Sequence, residues 1–161
     1  MKAEYIWTAL RLSMGWTFLW AFFDKLFGLG FATAADKAWI DGNSVTAGFL
    51  KFGTKGPFAE FYQGLAGNMV VEWIFMVGLF AIGFALLFGV GVKIAGYSGT
   101  LLMLFMYTAG FIPPEHNPFL DEHFINAIIL IGLTVVPAGQ WLGFGKWWAS
   151  TSLVQKYRFL E

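Results

Sequence analysis

The segment PPEHNPFLDEH, residues 113–123, carries both histidines of the chain, His116 and His123, among Glu115, Asp121 and Glu122. Imidazole has an unperturbed pKa of about 6.5, so histidine among carboxylates can exchange protons near neutral pH. Such a cluster could bind a small anion, hydrogen-bond a quinone head group or relay protons to one. The plainer explanation is that polar residues gather at a turn because turns meet water. A metal centre fits poorly, because the histidines are spaced H-x6-H across a proline-bearing turn, not at the i, i+4 interval of helical ligands. Haem needs axial ligands from within helices, and the long apolar stretches hold no histidine. The chain has no cysteine, which excludes thiolate metal sites, disulfides and dithiol redox chemistry from its own residues.

The elements that must position these groups are apolar. Of 161 residues, 58% are hydrophobic and 12% charged, with mean hydropathy +0.65, whereas soluble domains are about 25% charged. A small fold leaves much of its surface exposed, so a chain this apolar calls for lipid as its solvent. Formal net charge is zero, and nothing points to nucleic acid. Four stretches have the length of about 20 residues that a bilayer crossing needs: 5–27, 69–92, 94–112 and 124–142. The first contains Arg11, whose long side chain can snorkel toward the interface. No small-residue cleavage site follows it, so it reads as a span and not as a signal peptide. The expected fold is an all-α integral membrane four-helix bundle, with an amphipathic helical insertion in an extracytoplasmic loop, residues 28–68.

Within that loop, Phe58, Phe61, Tyr62 and Leu65 recur at helical spacing behind Pro57, a residue suited to the first position of a helix. This predicts an amphipathic helix on the outer membrane surface. Ala81, Ala85 and Gly89 recur every four residues, as do Ala95 and Gly99; small residues at that interval let membrane helices approach closely. Tryptophans near span ends, including Trp7, Trp16, Trp20, Trp73, Trp141, Trp147 and Trp148, fit an interfacial belt. Four spans place both termini and Lys93 on one side, with Lys2, Arg11, Lys146, Lys156 and Arg158. The other side holds Lys25, Lys37, Lys51 and Lys55. That modest bias predicts a multi-pass protein of the cell membrane with both termini cytoplasmic.

In an antiparallel bundle the end of the first span, the start of the second and the turn before the fourth share one depth. Asp24, Lys25, Glu72, Glu115, His116, Asp121, Glu122 and His123 are therefore expected at one outer rim, where ionisable groups pair, solvate or serve a function. Arg11, deep toward the opposite face, is first an anchor.

The run NPFLDEHFINAIILIGLTVVPAGQWLGFGKWW, residues 117–148, resembles the C-terminal signature of DoxX/DoxD-type membrane proteins, with its Asn-Pro-x-x-Asp-x-His turn, final span and Trp-Trp ending. RLSMGWTFLWAFFDKLFG resembles the family's first span, and WIDGNSVTAGFLK and GPFAEFYQGLAGN fit its first loop. The resemblance implies a four-helix membrane subunit like those of thiosulfate:quinone oxidoreductase, which oxidises thiosulfate to tetrathionate and reduces membrane quinone, with a second subunit as partner. Lys25, Asp121, His123, Arg11 and Asn117 fall on family-like positions, while Gln140 stands where an arginine is expected. On this reading Lys25, Glu72, Asp121 and His123 are the catalytic candidates. Arg11, Trp20, Asp24, His116 and Asn117 are candidates for holding a small sulfur anion or quinone, and no haem or metal is expected. The rival is a non-catalytic membrane scaffold or assembly factor whose outer cluster docks a partner protein. A cavity between helix ends, lined by Trp16 or Trp20 and opening to lipid, would favour quinone; a filled bundle would favour the scaffold.

Overall fold

The computed structural model describes residues 2–110, 114 and 117–161. It is all-helical, with no strand among the described residues. In chain order the α-helices are α1 Ala3–Phe27, α2 Ala59–Gln63, α3 Met69–Phe88, α4 Val92–Gly110, α5 Glu122–Val135, α6 Ala138–Trp141, α7 Gly145–Ser150 and α8 Ser152–Lys156. The long ones α1, α3 and α4 begin and end within a few residues of the apolar stretches expected from the sequence, and α5 begins where the last one does.

Local chemistry sets their ends. Gly28, at φ 64°, closes α1 by donating its N–H to Asp24 O at 2.8 Å, the left-handed cap that glycine adopts without strain. Asn68 starts α3 by accepting from the N–H groups of Val70 and Val71, and Asp121 starts α5 by accepting from Phe124 N at 3.0 Å. Side-chain oxygens at these positions satisfy N–H groups that have no partner inside the helix.

The helices pack as two close antiparallel pairs, α1 with α3 and α4 with α5. In the first pair the backbones nearly touch: a Cβ on Gly83 would lie 2.6 Å from Leu19 N, and one on Gly15 2.8 Å from Leu87 N. In the second pair Gly96 faces Leu130 O and Gly99 faces the Leu130 side chain. Phe18, Met76, Leu86, Leu130 and Leu133 fill the shared core. The Ala81, Ala85, Gly89 series is not the α1–α3 seam, because Gly15 and Gly83 make that approach; Ala81 and Ala85 line an open groove instead. Ala95 and Gly99 do lie buried in the bundle.

Two further expectations change. The last apolar stretch is not one helix: α5 stops at Val135, with Val136 extended and Pro137 after it. Proline offers no N–H and pushes the preceding residue out of the helical region. Fourteen residues rise about 21 Å, less than the hydrocarbon core of about 30 Å. The predicted amphipathic helix is a single short turn, α2, with Pro57 outside it. Tyr62 is buried while Phe58 and Phe61 are exposed, so the four apolar residues do not share one covered face. Among the described helices, α3 is long and apolar enough to cross a membrane by length and composition.

Candidate functional site

Antiparallel packing brings the C-terminus of α1, the N-terminus of α3, the C-terminus of α4 and the N-terminus of α5 to one end, the loop end. Contacts along the helices fix this register: Phe22 packs on Phe80 with ring centroids 5.1 Å apart, and Tyr107 packs on Phe124 at 5.5 Å. Residues 29–68 fold over this end, with Trp39 edge-on to Trp73 at 4.7 Å and Tyr62 Oη 2.6 Å from Thr108 Oγ1.

The carboxylates here are occupied by the loop. Asp24, 1% exposed, accepts from Phe31 N at 3.1 Å and Ala32 N at 3.0 Å. Glu72, buried in the first turn of α3, accepts from Ser44 Oγ, from Val45 N at 2.7 Å and from Thr46 Oγ1 at 3.2 Å. Buried carboxylates are costly unless hydrogen-bonded, and these satisfy N–H and O–H groups of a loop that has no regular ladder. Asp121 holds the start of α5 and also the imidazole of His123, Oδ2 to Nδ1 2.8 Å. Asn117 accepts from Phe119 N and Leu120 N, both at 2.9 Å, an Asx turn. Glu115 and His116 lie outside the described residues.

Lys25 is different. It is half-buried, and no hydrogen bond or ion pair joins it to Glu72 among the described residues. It lines a cavity of about 1460 Å³ between α3 and α4. Gly78, Ala81 and Ala85 form one wall, and Ala95, Ser98 and Leu102 the other. At the loop end Thr33, Lys37, Ser44 and Thr46 complete the rim. Ser44 and Thr46 are the residues that Glu72 holds, so that carboxylate shapes the rim without lining it. Lining residues run from Val71 to Gly91, a length of about 30 Å at the helical rise. Ile74, Val77, Leu101 and Phe105 in its walls are exposed, so the cavity opens sideways as a groove.

Two candidates lie elsewhere. Trp20 packs on Trp16 at 5.5 Å and meets Phe31 edge-on at 5.0 Å, and neither tryptophan lines the groove. Arg11 is fully buried, not snorkelling. Its guanidinium donates to Leu86 O, to Leu87 O at 3.0 Å and to Leu142 O, closing the C-terminus of α3, where backbone carbonyls lack partners. Arginine suits the task because it carries five donors and no acceptor. From Arg11 to Lys25 is about 21 Å along α1, so the two cannot share a small ligand.

Lys37, Thr33, Ser44 and Thr46 were not foreseen as rim residues; nothing local in the sequence marks them. The small residues of α3 and α4 were a signal, read as a packing seam when part of them lines a groove. No family model, curated protein or solved structure matches the chain.

Proposed function

We propose that the chain is the membrane subunit of a quinone-linked oxidoreductase of the DoxX/DoxD type, taking electrons from a small sulfur anion of the thiosulfate class. The observation that carries this reading is the groove between α3 and α4: long, apolar, open sideways and ending at Lys25. A quinone is an amphiphile with that pattern, an extended hydrocarbon tail and a ring bearing two acceptor oxygens. The small residues of both walls make room for the tail. The Lys25 ammonium donates to a ring oxygen and stabilises the negative charge that grows there on reduction. The balance is simple: two thiosulfates join through one S–S bond and release two electrons, and the quinone takes these with two protons to become a quinol. Lys25 and Lys37 attract the anion at the rim. Asp121 orients the His123 imidazole at the same end of the bundle, and Glu72 keeps the rim in shape.

The setting is a bilayer crossed by α1, α3, α4 and the broken α5–α6 stretch, with the loop end outside. Exposed Phe80 and Phe84 on α3, Leu101 and Leu104 on α4, and Ile125, Ile128 and Val135 on α5 support this, since water does not tolerate so broad an apolar surface. The excess of Lys and Arg at the opposite end supports the orientation.

The test is purification in mild detergent with any partner retained, lipid extraction and a search for bound quinone. Thiosulfate-dependent reduction of a soluble quinone is then measured for the native chain and Lys25→Met, with Lys51→Met as control. Bound quinone and a rate at least about tenfold lower in Lys25→Met are expected, the loss of one charge-assisted hydrogen bond. A folded sample with neither quinone nor activity overturns the reading and favours the scaffold.

A further inference from the structure

Of the hydroxyls at the head of the groove, one is not engaged by the protein. Ser44 and Thr46 both donate to Glu72. Thr33 lines the same rim and is only 8% exposed. Its main-chain oxygen accepts from Gly30 N at 2.9 Å, but its hydroxyl has no hydrogen-bond partner among the described residues. Buried hydroxyls in folded proteins nearly always have a partner, so one without calls for a ligand or water beside it. The Thr33 oxygen is not sealed in as Arg11 Nε is, and it opens on the cavity that the residue lines.

The surrounding loop holds this hydroxyl in place. Asp24, the neighbour of Lys25 in the last turn of α1, accepts from Phe31 N and Ala32 N, and Gly30 N closes a turn on Thr33 O. Beyond Thr33 the chain presses on the cap of α1: a Cβ on Gly28 would lie 2.7 Å from Ala34 O and 2.8 Å from Ala35 Cα. Residues 30–35 are thus folded back on the end of the helix that carries Lys25. Lys37 is not held in this way; it is exposed and pairs with its neighbour Asp36 at 3.8 Å. An ammonium and a hydroxyl, Lys25 and Thr33, therefore meet the free volume at the groove head.

The two groups differ in what they can hold. An ammonium only donates, whereas a hydroxyl donates or accepts. A quinone ring oxygen is an acceptor. Once the ring has gained two electrons and two protons, that oxygen carries an O–H and is a donor as well. Lys25 can give an N–H to its lone pair in both states. Thr33 donates to the quinone and, with its hydroxyl rotated, accepts from the quinol.

We infer that Thr33 is the second binding residue of the groove head, its hydroxyl meeting the ring oxygen that Lys25 holds and keeping it in place on reduction. This rests on the quinone reading and adds to it a residue that serves both redox forms.

The test uses the full chain in bilayer nanodiscs, any partner retained, as the native protein, Thr33→Val and Thr33→Ser. Decyl-para-benzoquinone and its quinol are the probes. Affinity for each form, the carbonyl stretch of the bound quinone by infrared difference spectroscopy, and the melting temperature are read. Valine keeps the shape and deletes the hydroxyl. It should weaken both forms by about three- to tenfold, as for one lost hydrogen bond, and raise the carbonyl frequency. Its melting temperature should be unchanged or higher, because no protein partner is lost, and serine should behave as the native residue. Unchanged affinities and carbonyl frequency in Thr33→Val overturn the assignment and leave the quinone reading standing. A lower melting temperature with the carbonyl frequency unchanged also overturns it, since the hydroxyl then serves the loop. A native chain that binds neither probe overturns the quinone reading itself, and the role of Thr33 with it.

Discussion

The two ends of the bundle solve the same problem with opposite charges. At the loop end, buried Asp24 and Glu72 collect N–H and O–H groups from an irregular loop. At the turn end, buried Arg11 collects carbonyls from the end of α3 and from Leu142. Each charge sits where the backbone leaves groups of the opposite character unpaired. Packing differs as well. At the turn end Gly89, Gly139, Gly143 and Gly145 press backbone on backbone; a Cβ on Gly139 would meet Gly89 O at 2.5 Å. The loop end keeps an open rim with Lys25 at the head of the groove. Ionisable groups in an apolar bundle are therefore not all functional: Asp24, Glu72 and Arg11 hold the backbone, whereas Lys25, beside the free volume of the groove, is a candidate for chemistry.

Changes at each end sharpen this contrast. The largest effect is expected for Arg11→Met, which strips three carbonyl contacts and should lower stability by about 3 kcal/mol or more, since each buried carbonyl left without a donor costs about 1–3 kcal/mol. Thermal unfolding in detergent measures it; a loss below about 1 kcal/mol, the worth of a single typical hydrogen bond, would mean the guanidinium does not close α3. Glu72→Ala should cost about 1–3 kcal/mol for the donors it abandons. Its effect should be local, with amide exchange rising at Val45 and not at Leu86. Global exchange would show that the loop is part of the core.

Much of this contrast was beyond reach of the sequence, for physical reasons. Long apolar stretches, three of them without charge beyond Glu72, Lys93 and His123, reveal the long helices, because apolar length is a local property. The partners of Glu72 lie 26–28 positions away, and tertiary contacts of an irregular loop leave no periodic trace. Grouping Lys25, Glu72 and Asp121 at one end followed from topology. The work each does depends on hydrogen bonds that topology does not specify. Pro137 was visible, yet the apolar run continues past it and masks the break in the final helix. Arg11 looked like an anchor because a lone cation in an apolar stretch usually reaches for water; here the helix end supplies acceptors instead.

A smaller effect is expected within the α1–α3 seam. Gly83→Ala should cost about 1–3 kcal/mol, since its Cβ meets the backbone of Leu19 and overpacking costs of that order are usual. Gly78→Ala, facing open space in the groove wall, should leave stability unchanged or slightly raised, as glycine weakens a helix interior by about 1 kcal/mol. A modest loss is expected for Asp121. Asp121→Ala should cost about 1 kcal/mol as a lost cap, and Asp121→Asn should restore most of it. Equal losses in both would place the value of that carboxylate in His123 and not in α5.

The most direct test of the account is to fill the groove while sparing both ends. Ala81 is exposed within its wall, and Ala81→Trp should block the path of a hydrocarbon tail without disturbing Asp24, Glu72 or Arg11. The amount of quinone that co-purifies with the native and Ala81→Trp chains decides it. The account predicts its loss from the variant with helix content and melting temperature preserved; the same amount of quinone in both chains would contradict it.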